Sequence, residues 1–221
     1  MITFENTGKA YRNRKGEISW VLRNINRTFA DEVSSGILVP EGQGKTTFIN
    51  LASGNISPSE GRIFRNGGIS WPYTFKGNIS NKLTGKQNLR FLTDVYGRNF
   101  DEAYEFVQQF SELGRYLDQP MRQYNFEMRS RLSISALFSM GFDRILVDEG
   151  MEGGDSAFRR RCVQHLEENR DRVKFLIASS KPEIITKYCQ EAGVLNNGKL
   201  TFYEDMAEAV SVFNKVNRIF A

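Results

Sequence analysis

The sequence predicts an α/β protein built on a largely parallel sheet, with one inserted block of helices. In the last third of the chain, strand-sized apolar runs alternate with helical patterns, which is typical of a parallel sheet. A Gly-rich loop also joins a strand predicted at Gly36–Val39 to an apolar helix. The stretch from about 83 to 141 shows helical patterns, so we expect a helical subdomain there within a single domain of 221 residues.

Each element follows from local signals in the chain. Short apolar runs predict strands in the first third: Ile2–Glu5, Trp20–Phe29, Gly36–Val39 and Gly61–Arg65. A capping box at Thr84 and apolar positions at helical spacing predict three helices: 84–96, 101–113 and about 128–140. The alternating pattern then predicts, in order, the strand 145–148, the helix 156–169, the strand 173–178, a helix from Pro182, a hairpin at Asn197-Gly198 and a final helix.

Composition excludes several classes of protein. A hydrophobic content of 40% with 25% charged residues is unlike a disordered or fibrous chain. No apolar run approaches the ~20 residues that span a bilayer, and the first residues lack the pattern of a signal peptide. Two cysteines indicate reduced thiols in place of a disulfide framework or a zinc site. These features predict a soluble cytosolic domain.

A phosphate-binding loop is the most specific signal in the chain. We expect its residues to contact nucleotide: Glu41, Gly42, Gln43, Gly44, Lys45, Thr46 and Thr47. Glycines let backbone N–H groups approach phosphates, Lys45 can reach the outer phosphates, and the Thr46 hydroxyl can bind Mg²⁺. The alternative is a Gly-rich turn that happens to precede a lysine, but a strand before it and a helix after it favour nucleotide binding.

The loop departs from the full G-x-x-x-x-G-K-[ST] spacing at one position. Val39 stands where the first glycine would be. A β-branched residue disfavours the positive φ that a sharp turn often requires, so we expect the chain to enter this loop in a different way.

Two acids end an apolar strand at Asp148 and Glu149. An Asp at the tip of a buried strand can hold Mg²⁺, and the adjacent Glu can polarise an attacking water. Two neighbouring acids are common by chance and alone indicate only an exposed strand end. Together with the phosphate loop they predict a second part of one site.

With these elements in order, the chain resembles the ATP-binding subunits of ABC transporters, within the subfamily that exports capsular and related cell-surface polysaccharides. The resemblance covers essentially the whole chain, and its short length also fits the capsule branch. The subfamily motifs are Ile69-Ser70-Trp71-Pro72, Leu83-Thr84-Gly85-Lys86-Gln87-Asn88, Met128-Arg129-Ser130-Arg131-Leu132, and Val147-Asp148-Glu149 followed by Gly154-Asp155. It implies an ABC-type P-loop domain: a RecA-like parallel-sheet core, an antiparallel β subdomain and the inserted helices.

The resemblance also implies roles for individual residues. Tyr11 would stack on the adenine, Asp148 would serve Mg²⁺, and Glu149 would be the catalytic carboxylate. Lys45 would be the second catalytic residue. Asp155 would lie in the loop that crosses to a second subunit. The segment 73–83 would sense the γ-phosphate and touch the membrane subunit, with Ser80 near the place of the family's glutamine.

Two motifs depart from that family pattern. The signature loop, which presents small polar residues and glycine to the γ-phosphate, reads Asn125, Phe126, Glu127 and Met128 here. Glu127 stands at the glycine position, where a carboxylate repels phosphate. The switch histidine is replaced by Ser180, and the single histidine, His165, lies within a predicted helix and cannot readily substitute.

Three hypotheses follow for the function. The first is an ATPase subunit on the cytoplasmic face of the inner membrane, bound to a polysaccharide-exporting permease and a second nucleotide-binding chain, identical or different. It would use ATP and Mg²⁺. The second is a nucleotide-binding subunit with little turnover and a structural or regulatory role, which Glu127 and Ser180 support. The third, a protein acting on nucleic acid, is suggested by a net charge of +4, but 221 residues leave no room for the second domain that such proteins carry; we expect no nucleic-acid partner.

Overall fold

The computed structural model describes residues 1–74, 79–150 and 153–220. Within them the chain forms two compact units. The first comprises residues 1–74, 143–150 and 171–220, and the second comprises residues 79–142 and 153–170. No helix among these residues is both long and apolar enough to cross a bilayer.

Strands and helices follow one another in the order β1–β2–β3–α1–β4–β5–α2–α3–α4–β6–α5–β7–α6–β8–β9–α7. The strands are β1 Ile2–Arg12, β2 Ile18–Phe29, β3 Ser35–Leu38, β4 Glu60–Arg65, β5 Ile69–Tyr73, β6 Arg144–Asp148, β7 Lys174–Ser179, β8 Glu191–Asn196 and β9 Lys199–Tyr203. The helices are α1 Lys45–Ser53, α2 Gly85–Tyr96, α3 Phe100–Ser111, α4 Phe126–Ser139, α5 Ser156–Glu168, α6 Pro182–Tyr188 and α7 Met206–Phe220.

The first unit contains two sheets. One is antiparallel, with three strands in the order β2-β1-β4. The other has six strands in the order β5-β6-β7-β3-β8-β9, parallel except that β9 runs antiparallel to β8. Because β3 pairs with β7 and β6 pairs with β7, the loops after β3, β6 and β7 leave the sheet at the same edge.

The core of the first unit lies between these sheets and around α1. Phe4 of β1 stacks on Phe48 of α1 with ring centroids 5.0 Å apart. Phe29 of β2 meets both rings edge-on at 5.9 Å. All three rings are at most 1% exposed, so burying them contributes several kcal/mol, at about 1.5–3 kcal/mol per large apolar side chain. This packing anchors α1, whose first turn belongs to the phosphate loop.

The second unit is helical, and aromatic residues hold its helices together. Phe110 of α3 packs edge-on against Phe138 of α4 and Phe158 of α5. His165 of α5 is half-buried and stacks on Phe138 at 4.6 Å. The predicted capping box at Thr84 is present at the start of α2, where the hydroxyl accepts from the Gln87 N–H at 3.1 Å.

Several elements differ from the sequence-based expectations. Strand β1 continues to Arg12, beyond the predicted end at Glu5, and other bounds shift by one or two residues. The helix predicted from about Met128 begins at Phe126, because the Asn125 side chain caps it by accepting from the Met128 N–H. Strand β5 was not predicted, since Pro72 removes a backbone donor from it. Proline is tolerated there because β5 is at the edge of its sheet.

Candidate functional site

The loop after β3 turns at two glycines. Gly42 has φ 75° and Gly44 has φ 94°, in the left-handed region that a side chain disfavours. A Cβ on Gly44 would also lie 2.6 Å from Cγ1 of Val21 in β2, so only glycine fits. Val39 continues the line of the strand instead, and its N–H donates to the Ser179 carbonyl at 2.9 Å. The sharp turns of the loop therefore come after Val39, at Gly42 and Gly44. Val39 itself needs no positive φ, because it continues the strand into the loop.

The N-terminus of α1 is open to an anion. Its N-cap residue is Gly44, and no side chain among the described residues caps this end of the helix. The N–H groups of the first turn are therefore available to an acceptor, and the helix dipole favours negative charge there. These are the physical requirements for binding phosphate.

Thr46 and Asp148 bring two oxygen ligands together beside this helix end. The Thr46 hydroxyl donates to Oδ2 of Asp148, the last residue of β6, at 2.8 Å. Hydroxyl and carboxylate oxygens are the ligands that Mg²⁺ prefers, and Mg²⁺ usually takes few protein ligands and completes its shell with phosphate oxygens and waters. The pair fits that preference. No group of three or more His, Cys, Asp or Glu side chains among the described residues could hold a metal by itself.

Glu149 follows β6 in a strained backbone conformation. Its φ is 87°, which costs about 1–3 kcal/mol for a residue with a side chain. The Glu149 N–H donates to the Ala178 carbonyl of β7 at 2.9 Å, which holds the residue in this conformation. Strain of this kind is typical of functional positions.

The Glu149 carboxylate contacts two partners. Its Oε2 forms an ion pair with the Lys45 ammonium, and its Oε1 accepts from the Ser180 hydroxyl at 2.6 Å. Burial lowers the pKa of the Lys45 ammonium, while the carboxylates of Asp148 and Glu41 act in the opposite direction. Lys45, Asp148, Glu149 and Ser180 therefore form one charged cluster at the end of the sheet.

Tyr11 and Gln43 lie beside the same loop. The Tyr11 hydroxyl is 3.4 Å from the Thr47 hydroxyl, and its ring is 45% exposed with the Lys9 ammonium 5.3 Å from the ring centroid. The Gln43 side chain accepts from the Asn197 N–H at 3.2 Å, which ties the loop to the β8–β9 turn.

Sequence reasoning missed a cleft beside the phosphate loop. It has a volume of about 390 Å³ and is lined by Ser19, Trp20, Val21, Arg23, Gly42, Gln43, Asn197 and Gly198. Ser19 pairs with Tyr11 in the β1–β2 register, so both side chains are on one face of the ribbon. The register then shifts from Ala10↔Trp20 to Lys9↔Leu22, which leaves Val21 as an extra residue of β2, so strand alternation could not have identified its position beside the loop.

The residues of the signature position lie in the second unit, at the start of α4. Asn125 is the N-cap, and its side chain accepts from the Met128 N–H at 2.8 Å. Phe126 is 60% exposed, and Glu127 is an exposed residue of the first turn. Asn125 thus performs the capping that a serine would perform, while the carboxylate of Glu127 adds negative charge at the helix end.

Asp155 lies in the same unit and caps α5. Its carboxylate accepts from the N–H groups of Ala157 at 2.9 Å and Phe158 at 3.0 Å, and it forms an ion pair with Arg131 of α4. Arg131 and these N–H groups hold the pKa of the Asp155 carboxyl well below its usual value of 3.8. Gly153 packs closely on α4, since a Cβ there would be 2.6 Å from that of Ser130.

The predicted segment 73–83 lies partly outside the described residues, which omit 75–78. Its last part is held by the buried Asn88 of α2, whose side chain accepts from the Ser80 N–H at 2.8 Å and donates to the Ser80 carbonyl at 3.1 Å.

The predicted site residues are divided between the two units. The first unit contains Tyr11, the phosphate loop, the two acids Asp148 and Glu149, and Ser180. The second unit contains residues 125–128 and Asp155.

Known proteins match the chain over nearly its whole length. The chain is 38% identical to the ATP-binding protein BexA of Haemophilus influenzae, over 99% of this chain and 100% of that protein. It is 36% identical to the capsule polysaccharide export ATP-binding protein CtrD of Neisseria meningitidis serogroup B, over 98% and 100% of the two chains. No protein-family model matches the chain.

Among solved structures, an ATP-binding cassette in a dimeric post-hydrolysis state, bound to ADP and Pi, matches with a TM-score of 0.75. The match covers 93% of this chain and all of that chain at 18% identity, so it supports the fold alone. The α/β class with a parallel and an antiparallel sheet is confirmed.

Proposed function

The chain belongs to the family of ABC transporter ATP-binding proteins of capsule and polysaccharide export, and from this premise we propose that it binds ATP with Mg²⁺ and hydrolyses it to energise export of a cell-surface polysaccharide. The observation that carries the proposal is the convergence of Lys45, Thr46, Asp148 and Glu149 at one end of the parallel sheet. The names of the relatives favour an energising subunit over a structural one.

Each side chain has a role that its surroundings allow. The open N-terminus of α1 and the turn through Gly42 and Gly44 would hold the phosphates with backbone N–H groups. Lys45 would leave its ion pair and contact the outer phosphates, where its charge offsets that of the transferred group. Tyr11 would face the adenine, because its ring is exposed beside the loop.

The reacting end of the site depends on the two acids. Thr46 and Asp148 would hold Mg²⁺, which would offset the negative charge of the phosphates of bound ATP. Glu149 would orient the attacking water and accept its proton, since its carboxylate stands beside Lys45 at the end of β6. The strained φ of Glu149 aims this carboxylate at the phosphate loop.

Export also requires partners. We propose an integral-membrane permease and a second nucleotide-binding chain, with this protein on the cytoplasmic face of the inner membrane. The start of α4 and the residues around Asp155 are the surfaces that would face the second chain, and Asp155 already orders its loop by capping α5.

Steady-state ATP hydrolysis by the full chain, purified together with the membrane protein that it retains, tests the proposal. Glu149→Gln is the control, because it keeps the size of the side chain and removes its basicity. Hydrolysis that disappears in the control, together with polysaccharide export that requires the unmodified residue in the native cell, supports the function. A chain that fails to bind ATP and Mg²⁺ contradicts it.

A further inference from the structure

Ser180 stands where the family has a histidine that contacts the γ-phosphate, yet its hydroxyl is engaged elsewhere. Its Oγ donates to Oε1 of Glu149 at 2.6 Å, and its backbone N–H donates to the same oxygen at 3.2 Å. We propose that Ser180 is a positioning residue, which holds the Glu149 carboxylate in place for the attacking water and makes no essential contact with phosphate. This inference rests on the proposed role of Glu149.

The backbone supports such a role. Strands β6 and β7 are parallel, and Asp148 pairs with Ala178 in their register. Glu149 continues this pairing by donating its N–H to the Ala178 carbonyl, at a φ of 87°. The turn brings the Glu149 side chain back over the end of β7, where Ser180 follows. The distance between the hydroxyl and the carboxylate is therefore set by strand pairing.

The two carboxylate oxygens have partners of different kinds. Oε2 pairs with Lys45, and Oε1 accepts both hydrogen bonds from Ser180. Phosphate and the Glu149 carboxylate are both anions, so they would compete for the Lys45 ammonium. The Ser180 hydroxyl has a single proton, which it already donates to the carboxylate, so it has no further proton to donate to phosphate. When Lys45 turns to phosphate, Ser180 would remain the group that keeps Glu149 in position.

Ser179 provides a matched control at the neighbouring position. It is also a serine at the end of β7, and its hydroxyl accepts from the Lys181 N–H at 3.1 Å. Replacing Ser179 by alanine removes a hydroxyl from the same turn without removing a contact to Glu149. Replacing Ser180 by threonine keeps the hydroxyl and adds a methyl group.

The kinetic test compares Ser180→Ala, Ser180→Thr and Ser179→Ala in the full chain with its membrane partner. For Ser180→Ala we expect kcat to fall roughly ten- to a hundredfold, as for the loss of a hydrogen bond to a charged group, with KM for ATP near that of the unmodified protein. Threonine should restore most of kcat, and Ser179→Ala should behave like the unmodified chain. An unchanged kcat in Ser180→Ala, or a rise in KM without a fall in kcat, overturns the proposal.

A second readout does not depend on turnover. In a crystal structure of the Ser180→Ala chain with a non-hydrolysable ATP analogue, where Lys45 contacts phosphate, we expect the Glu149 carboxylate to leave its position above β7, because only the longer bond from the backbone N–H of residue 180 remains. A carboxylate that keeps its position without the hydroxyl overturns the positioning role. Failure of the proposed function is distinguishable, because it appears as an unmodified chain that does not bind or does not hydrolyse ATP, whatever the position of Glu149.

Discussion

The Thr46 hydroxyl donates to Oδ2 of Asp148 at 2.8 Å, although the two residues are 102 positions apart in the chain. Thr46 lies in the first turn of α1, and Asp148 is the last residue of β6. They meet because α1 packs against β5, β6 and β7, with its first turn at the edge where β6 ends. One hydrogen bond therefore joins the phosphate loop to the acidic strand end.

Thr46→Val tests the use of this pair for Mg²⁺. Valine has nearly the shape of threonine but no oxygen, so we expect affinity for ATP with Mg²⁺ to fall roughly tenfold or more, while affinity for ATP without Mg²⁺ changes little. Thr46→Ser, which keeps the hydroxyl, should retain Mg²⁺-dependent binding. Titration of a fluorescent ATP analogue with and without Mg²⁺ measures both values. An equal loss under both conditions would contradict the metal role.

Glu149→Gln and Lys45→Ala should separate binding from turnover. The glutamine variant should lose roughly 10²–10⁴-fold in kcat, the usual contribution of a general base. It should bind ATP at least as tightly as the unmodified chain, because Lys45 no longer has to leave an ion pair. Lys45→Ala should instead weaken ATP binding. Equilibrium binding and steady-state hydrolysis, measured on the same preparations, check this; weaker binding by Glu149→Gln would count against it.

The combination Phe126→Ser with Glu127→Gly should raise turnover if two copies of this chain form the ATP sites. It removes an exposed ring and a carboxylate from the first turn of α4, while Asn125 stays in place as the cap. Glycine in that turn costs about 1 kcal/mol of helix stability, so thermal unfolding is measured alongside hydrolysis. Glu127→Gln removes the charge alone and shows how much of the effect is electrostatic. No increase, with folding and ATP binding intact, would argue against repulsion by Glu127.

Asp155→Asn should lower the stability of the folded chain at neutral pH, and this loss of stability should be smaller in acid. Arg131 and two backbone N–H groups hold the pKa of the Asp155 carboxyl below its usual value of 3.8, so the ionised form is favoured in the folded chain. The ionised Asp155 carboxylate stabilises the folded chain in full when the pH is above the usual pKa of 3.8. This stabilisation is lost as the pH falls through the lowered pKa of the folded chain. Asparagine still accepts hydrogen bonds at the N-cap, so the substitution isolates the charge.

The measurement is Tm against pH for the Asp155→Asn and unmodified chains. The difference between them should be greatest near neutral pH and should shrink as pH falls below about 4. The same comparison in an Arg131→Gln chain is the control, because the trend should be smaller without the guanidinium that pairs with Asp155. A difference that is constant across the pH range would indicate that the Asp155–Arg131 pair does not contribute.

Much of the candidate site could be predicted from local sequence. Glycines before Lys45 and Thr46, between a strand and a helix, are a local pattern because the phosphate loop is made by consecutive residues. The acids Asp148 and Glu149 were identified in the same way, as the end of an apolar strand. The contribution of Val21 was missed, because it depends on a ribbon that folds over the loop from a distant part of the sequence.

The sequence by itself determined the class of fold, the phosphate loop, the cap at Thr84 and the departures at Glu127 and Ser180, because each depends on neighbouring residues in the chain. The cap at Asp155 was seen only in the structure. Only the tertiary structure decided what Ser180 contacts and that Lys45 pairs with Glu149. Those contacts depend on the order of strands in a parallel sheet, where β6, β7 and β3 become neighbours although they are far apart in the chain. Strand order is set by packing of the whole core, and no local pattern encodes it.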